Sequence, residues 1–450
     1  METPRRPTKA TPVQFRDPLP EAADVVIVGG GAIGVFAALF LAQAGKRVVI
    51  CEKGRIAGEQ SSRNWGWIRQ QGRDEGELPL AMEAVRQWQE IDEQLGGQCG
   101  VKERGVTYLA NDDAKMARYE AWVATAKGYG LHSELLSASD VAESFSGAAS
   151  QRWVGGVRTP SDCRGEPWQA IPAVARFAQE AGVVIREDCA VRKLDIAAGR
   201  IAGVITEHGK VACEQVVVAA GAWSRLFLGA HGVSIPQLGV VGTVARTAQL
   251  PDFAQANCAD DGLAWRRRDD GGFTLALTDR HGFHLGPDAL SSFKPWLPEL
   301  RQQIGELRLS PAAPRGFPDS WTTKRRWEGD EESPFERQRV LEPKPAAKAA
   351  DTMADRFATR FPGIGRPEIL DVWAGLIDAM PDVVPIVDWV PRLPGLFVST
   401  GMSGHGFGIA PAFGRALARR LTGQSDEHDL SRFRFDRFTD GTPLKPGPSL

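Results

Sequence analysis

Four stretches of the 450-residue sequence carry residue types whose spacing suits ligand chemistry. The first is Gly29-x-Gly31-x-x-Gly34, preceded by an apolar run at 25–28 and followed by an Ala/Leu-rich stretch. Gly29 permits a tight turn, Gly31 lets the backbone approach a pyrophosphate, and Gly34 lets a helix pack closely on a strand. Ala32 and Ile33, at the helix start, would offer free N–H groups and a partial positive charge to phosphates. A second β-rich run at 47–51 ends at Glu52, with Lys53 after it. A carboxylate there can accept bonds from both ribose hydroxyls of an adenosine. The competing reading is a tight turn with no ligand.

The second stretch is Ser61, Ser62, Arg63, Asn64, Trp65, Gly66, Trp67, Ile68, Arg69. Ser61 and Ser62 suit a phosphate or sugar alcohol, Arg69 suits a place facing a reacting ring, and the two indoles suit an apolar wall. A surface turn with two core tryptophans is the alternative. The third is the small-residue turn 219–221 with Trp223, where Ala220 and Gly221 let a backbone pass close to a cofactor. The fourth is 399–408, with Gly401, Gly404, Gly406 and Gly408 around His405 and Phe407. A helix follows it, with Pro411 in its first turn and Gly423 past its end, so its positive end aims back at the turn.

The elements that must hold these residues follow from the hydrophobic pattern. Residues 25–28 read as a strand, the helix runs to about Ala44 with Gly45 as its stop, and 47–51 reads as the next strand. Residues 80–127 read as helical. A Gly-rich turn is expected at 153–157, a helix near 171–181, and strands at 183–186, 200–206 and 211–220. Residues 236–310 alternate short β-like runs with polar turns, as an antiparallel sheet would. Residues 311–350, rich in Pro and charge, read as an excursion over the surface.

Composition excludes several classes. With 42% apolar and 24% charged residues the chain is globular, neither disordered nor fibrous. The formal net charge of −2 gives no reason to bind nucleic acid. Six scattered cysteines show no metal-like or disulfide-framework spacing, which fits a reducing compartment and no metal. The first twenty residues are Pro-rich and basic, read as a flexible tail and not a secretory signal. The apolar stretch 25–45 raises the question of a membrane span. Its three consecutive glycines argue for a buried strand–turn–helix. Thirteen Trp stand against three Tyr.

Together DVVIVGGGAIG with Glu52, SSRNWGWIR, VVVAAGAWS, WAGLIDAMPDVVPIVD and GLFVSTGMSGHGFGIAPAFGRAL span residues 24–425. In this order they resemble the D-amino-acid-oxidase-like superfamily of FAD-dependent amine and amino-acid oxidoreductases. The resemblance implies a Rossmann-like α/β FAD-binding domain interleaved with an α+β substrate domain carrying an antiparallel sheet. The FAD domain would take residues 21–95, 150–232 and 372–425, the substrate domain 96–149 and 233–371, and residues 426–450 would form a C-terminal tail. It implies that Gly29, Gly31, Gly34 and Glu52 hold the ADP half and that Ser61, Ser62 and Arg63 run along the pyrophosphate and ribitol. Val191 would meet the adenine through its backbone. Gly404 to Gly408 would line the flavin's pyrimidine edge, where the helix dipole stabilises charge near N1. Arg69 matches an arginine that approaches the flavin in sarcosine oxidase, and His405 takes a place beside it.

The departures from the family shape the expected substrate. No His precedes His132, and Gly375 stands where some relatives place a flavin-linking Cys, so FAD is expected to be non-covalent. Gly408 replaces the lysine, and Ile377 and Asp378 the arginine and proline, that bind substrate carboxylates in relatives. Either Arg69 or another arginine serves, or the substrate lacks an α-carboxylate and Asp378 steers a cationic amine. Asp378 as a turn or cap residue is the competing reading. The expected reaction is oxidation of a C–N bond, N-substituted amines included, with Trp65 and Trp67 favouring the neutral amine by desolvation. Oxidation of a 2-hydroxy acid with His281 or His284 as base, and a non-catalytic flavin-binding subunit, are the alternatives. Residues 236–293 contain no Lys, which leans toward a slow oxidase or a dehydrogenase, so oxygen, a quinone or an electron-transfer partner is the expected acceptor. The expected location is cytoplasmic, including the inner face of a membrane.

Overall fold

The computed structural model describes residues 6–149, 153–303, 307–445 and 447. The first motif forms strand Val25–Val28, helix Ala32–Gln43 and strand Val48–Cys51. The helix stops where Ala44 and then Gly45, at φ +80°, leave helical geometry. These strands sit inside a six-stranded sheet ordered Ile386–Trp389, Leu396–Thr400, Gln215–Val218, Val25–Val28, Val48–Cys51, Val184–Arg186. Every neighbouring pair is parallel except the first. Its central strands are apolar on both faces because both are covered. Val25 and Ile27 pack under the helices Ala32–Gln43, Pro167–Glu180 and Gly406–Leu421. Val26 and Val28 pack against Trp223, Phe227 and the three-stranded meander that starts at Val191.

A ten-stranded mixed sheet stands beside it. Its spine is the antiparallel pair Leu238–Thr247 and Ile369–Ala379, with Gly242 opposite Gly375 and Arg246 opposite Asp371. Strands Phe273–Ala276 and His281–His284 share the other edge of Leu238–Thr247. The expected architecture, a Rossmann-like α/β unit with an antiparallel sheet, is therefore present.

Several local expectations need correction. Residues 80–127 are not one helix: Leu78–Gln94 and Asp113–Gly128 are separated by strands Lys102–Glu103 and Val106–Ala110. Gly96, Gly97, Gly100 and Gly105, all at positive φ, break the run. The Gly-rich turn at 153–157 is mostly strand Gly155–Thr159. A Cβ on Gly155 would lie 2.6 Å from the Leu136 carbonyl oxygen, and one on Gly156 2.8 Å from that of Tyr108. The glycines mark close strand approach, not a turn. That strand and most of Ile369–Ala379 belong to the ten-stranded sheet, although the expected FAD-domain segments begin at 150 and 372.

Residues 311–350 run largely over the surface, as expected, but are pinned to the core by Trp327, Phe335 and Leu341, buried beneath the meander. Of the expected N-terminal tail, residues 1–5 lie outside the described residues. The rest is docked: Phe15 is buried, and Glu187 accepts from the Gln14 and Phe15 amides. The expected C-terminal tail is likewise anchored. Phe433 is buried and the Arg437 guanidinium donates to Asp382 at 2.8 Å; residues 446 and 448–450 lie outside the described set. No helix among the described residues is long and apolar enough to cross a membrane.

Candidate active site

A cleft of about 1140 Å³ runs from the first glycine turn to the turn at 401–406. At one end Glu52, partly buried, accepts from the Gly30 amide through Oε2 and the Gly54 amide through Oε1, both at 2.7 Å. Burial raises its pKa to about 7, against the pull of Lys53 and those amides. A Cβ on Gly34 would lie 2.1 Å from the Gly29 carbonyl, so only glycine lets the helix seat this closely. A Cβ on Gly29, at φ +111°, would meet the Ala219 carbonyl at 2.6 Å. The Ser61 hydroxyl accepts from the Ala32 amide at 2.9 Å, which places it on the helix N-terminus where an anion is favoured.

Gly29, Gly31, Ala32, Ile33, Glu52, Lys53, Ser61, Asn64, Val191, Ala220, Gly221, Trp223, Gly404, Gly406 and Phe407 all line this cleft. A dinucleotide's ribose, pyrophosphate and ring system each meet a suitable wall: an acid, a helix N-terminus and a glycine-rich turn. The Ser399 hydroxyl and Gln60 Oε1, on two cleft-lining residues, are buried without partners. The donor set fits FAD.

Other expected contacts lie elsewhere. Ser62 is buried and faces the Glu59 carbonyl. The Arg63 guanidinium is buried and donates to the carbonyls of Leu341 and Gly58, and burial lowers its pKa to about 10. Neither lines the cleft, and Arg63 ties the Gly58 carbonyl of the loop to Leu341. Gly66 and Gly401 serve close packing: a Cβ on Gly66 would meet the Gly165 carbonyl at 2.5 Å, and one on Gly401 the Met380 side chain at 2.3 Å. Gly408 abuts the strand Trp67–Ile68, where a Cβ would lie 3.1 Å from the Trp67 carbonyl. The position that carries a substrate-binding lysine in relatives is filled here by backbone.

Asp378 lines the cleft, yet its Oδ2 is spent on the turn, accepting from Gly401 N at 2.8 Å and Met402 N at 3.1 Å. The geometry matches the turn-residue reading, not the steering of a cationic amine. Trp65 and Trp67 meet edge to face at 5.3 Å, and Trp67 continues to Tyr108 at 6.0 Å, in the core under the ten-stranded sheet rather than on the cleft.

Arg69 and His405 face a buried polar cluster instead of the cleft. Arg69 donates to the Gln71 carbonyl at 2.6 Å and stacks over Tyr108. His405 Nδ1 lies 3.5 Å from Glu77 Oε2. Burial lowers the His405 pKa to about 4, and that of the neighbouring Arg73 to about 9. Burial alone would raise Glu77, but His405, Arg73 and Arg69 bring it below the usual range. His281 and His284 sit on the strand His281–His284. His284 packs against Phe317 and lines a separate cavity with Arg225 and Asp288, and burial lowers both imidazole pKa values.

The sequence reading missed Glu59. Its carboxylate takes Lys53 Nζ at 2.6 Å, Trp223 Nε1 at 3.0 Å and Leu341 N at 3.1 Å. Lys53 also donates to the carbonyls of Gln338 and Arg339, and stands 4.3 Å from the Trp223 ring centre. The node fixes one wall of the cleft, with Phe335 beside it. Its only sequence signal is an acid inside the small-residue loop between Glu52 and Ser61.

A dinucleotide cleft of this kind, with strand Ile369–Ala379 of the ten-stranded sheet bordering it through Leu376 and Asp378, defines a flavin-dependent oxidoreductase. The chain belongs to the FAD dependent oxidoreductase (DAO) family, whose model matches residues 24–420. It is 25% identical to sarcosine oxidase subunit beta of Rhizobium meliloti, over 94% of this chain and 90% of that one. It is 28% identical to glycine oxidase of Pseudomonas putida, over 65% of this chain and 84% of that one. Among solved structures it resembles the L-amino acid deaminase from Proteus myxofaciens in complex with anthranilate. That match has 28% identity and a TM-score of 0.90, covering 96% of this chain and 97% of the other.

Proposed function

We propose that this FAD-dependent oxidoreductase oxidises a C–N bond of a small amine or amino acid. The likeness to a sarcosine oxidase subunit, a glycine oxidase and an L-amino acid deaminase favours nitrogen over oxygen chemistry. Removing a hydroxyl proton calls for a base such as His, whereas a neutral amine supplies its own lone pair. When bound, FAD supplies the acceptor for the hydride from the carbon beside nitrogen, and the resulting imine hydrolyses in water.

The chain's residues bind and orient. Glu52 holds the adenosine ribose, the N-terminus of Ala32–Gln43 with Ser61 holds the pyrophosphate, and the turn 401–406 with Phe407 borders the ring system. Gly375, in the place where some relatives carry a flavin-linking Cys, supports non-covalent attachment. The absence of Lys from 236–293 supports a slow oxidase or a dehydrogenase that passes electrons to a quinone or an electron-transfer partner, in a cytoplasmic enzyme.

Mixing the FAD-loaded protein with amines, amino acids and 2-hydroxy acids under oxygen-free conditions tests this reading. Bleaching of the visible flavin band by an amine or amino acid is expected. Bleaching by 2-hydroxy acids alone would overturn it.

A further inference from the structure

A second cavity, of about 750 Å³, lies outside the cofactor cleft, between the docked N-terminal segment and the far end of the ten-stranded sheet. Arg6, Thr8, Thr11, Trp168, Arg246 and Asp371 line it. Its charges are arranged unusually. Arg246 and Asp371 are direct neighbours on antiparallel strands, a placement that ordinarily yields a cross-strand ion pair. Arg246 does not take it. The guanidinium turns onto the Trp168 ring, 5.5 Å from its centre, and its buried Nε has no partner. It makes no hydrogen bond or ion pair among the described residues.

Arg6 repeats the pattern from the opposite wall. It stands 5.7 Å from the Trp373 ring centre, its Nε is also buried without a partner, and its ion pairs to Glu342 and Asp371 are long, at 3.8 and 4.0 Å. The neighbouring Arg268 stands 4.9 Å from the Trp168 ring centre and donates to Asp270 at 2.7 Å, a carboxylate that also feels the charge of Arg246. Burying guanidinium donors unpaired is costly. The Thr8 and Thr11 oxygens accept backbone amides at 3.2 and 2.9 Å, leaving both hydroxyl hydrogens free to donate. Behind the arginines, Trp168 lines the cavity and meets the buried Trp373 edge to face at 5.4 Å.

We propose that this cavity is a binding site for a small molecule bearing a carboxylate on an aromatic or apolar body. The carboxylate bridges Arg6 and Arg246, where it completes both donor sets, and the body lies along the part of Trp168 that lines the cavity. The site is separate from the cofactor cleft. The Trp168 and Trp373 N–H groups donate to the carbonyls of Ser62 and Arg63, at 2.7 and 3.1 Å, so the short helix Gln60–Arg63 stands between the two spaces. Glu342 and Asp371 flank the site and select against dianions.

The probe is benzoate, titrated into the FAD-loaded protein by calorimetry with the flavin absorption recorded in parallel. Benzoate in the cofactor cleft would perturb the flavin band, whereas benzoate in this cavity would leave it unchanged. A flavin-silent binding event is expected, weakened at least tenfold by Arg246→Gln and by Arg6→Gln, and partly restored by Arg246→Lys. Inorganic phosphate is expected to bind at least tenfold more weakly. Arg6 sits on the docked N-terminal segment, so its variant tests the site even if Arg246→Gln does not fold. The proposal is overturned if all benzoate binding perturbs the flavin, if the folded variants bind benzoate as the parent does, or if phosphate binds equally well.

Discussion

Asp378 accepts the amides of both Gly401 and Met402 through one carboxylate oxygen, at 2.8 and 3.1 Å, so the strand that borders the cleft carries the anchor of the glycine-rich turn. The anchor is buried, and burial raises the pKa of its carboxyl against the pull of those amides. Substitution by Ala leaves two buried amides unsatisfied, at a cost of about 1–3 kcal/mol each. Asp378→Ala is expected to lower the thermal midpoint and the bound flavin fraction together. Asp378→Asn, which keeps an acceptor oxygen, is expected to lose less. Chemical denaturation and the ratio of flavin to protein absorbance check both.

Gly34→Ala pushes a methyl group into the Gly29 carbonyl. The helix Ala32–Gln43 must shift outward, and its N-terminus leaves the pyrophosphate position. A loss of FAD affinity of at least tenfold is expected, measured by fluorescence recovery on reconstituting the apoprotein.

A lysine at 408 is not expected to restore the substrate anchor seen in relatives. Its Cβ would press on the Trp67 carbonyl and the Ile68 backbone. Overpacking of this kind costs about 1–3 kcal/mol. Gly408→Lys is therefore expected to destabilise the protein without lowering KM for any amino acid, as denaturation and steady-state kinetics on the best amine substrate will show.

His405 gives a pH signature. Burial holds its pKa near 4, below the 6.5 of an exposed imidazole. The unfolded chain takes up this proton at higher pH than the folded one, so stability falls as pH drops from about 6.5 toward 4, by up to about 1.4 kcal/mol per unit. Glu77, held below its usual range, adds loss of the same sign at lower pH. His405→Asn is expected to flatten the upper part of this window, read from denaturation midpoints across pH 4–7.

The parts legible in the sequence are those in which one local rule governs one short stretch. Gly29, Gly31, Gly34 and Glu52 lie within 24 positions and fold as one unit, so their roles follow from spacing alone. The turn 399–408 announces itself by its glycines in the same way. What the sequence hid depends on distant neighbours. Gly155 and Gly156 look like turn residues, but their reason is the nearness of Leu136 and Tyr108. Arg63 and His405 sit in ligand-like motifs, yet their side chains answer to Leu341 and Glu77, 278 residues away in one case. Glu59 has no motif at all, because its partners come from residues 53, 223 and 341.

The cleft's walls are drawn from Val28 near the start of the chain to Phe407 near its end, with Phe335 between them. During synthesis, the Ala32–Gln43 helix and Glu52 emerge long before the turn that closes the far side. The strands that flank Val25–Val28 and Val48–Cys51, at 215–218 and 184–186, also emerge later, so the cleft is assembled from the whole chain. Cofactor capture belongs to the last stage of biogenesis, and a ribosome-bound or truncated chain ending before residue 407 will not retain FAD.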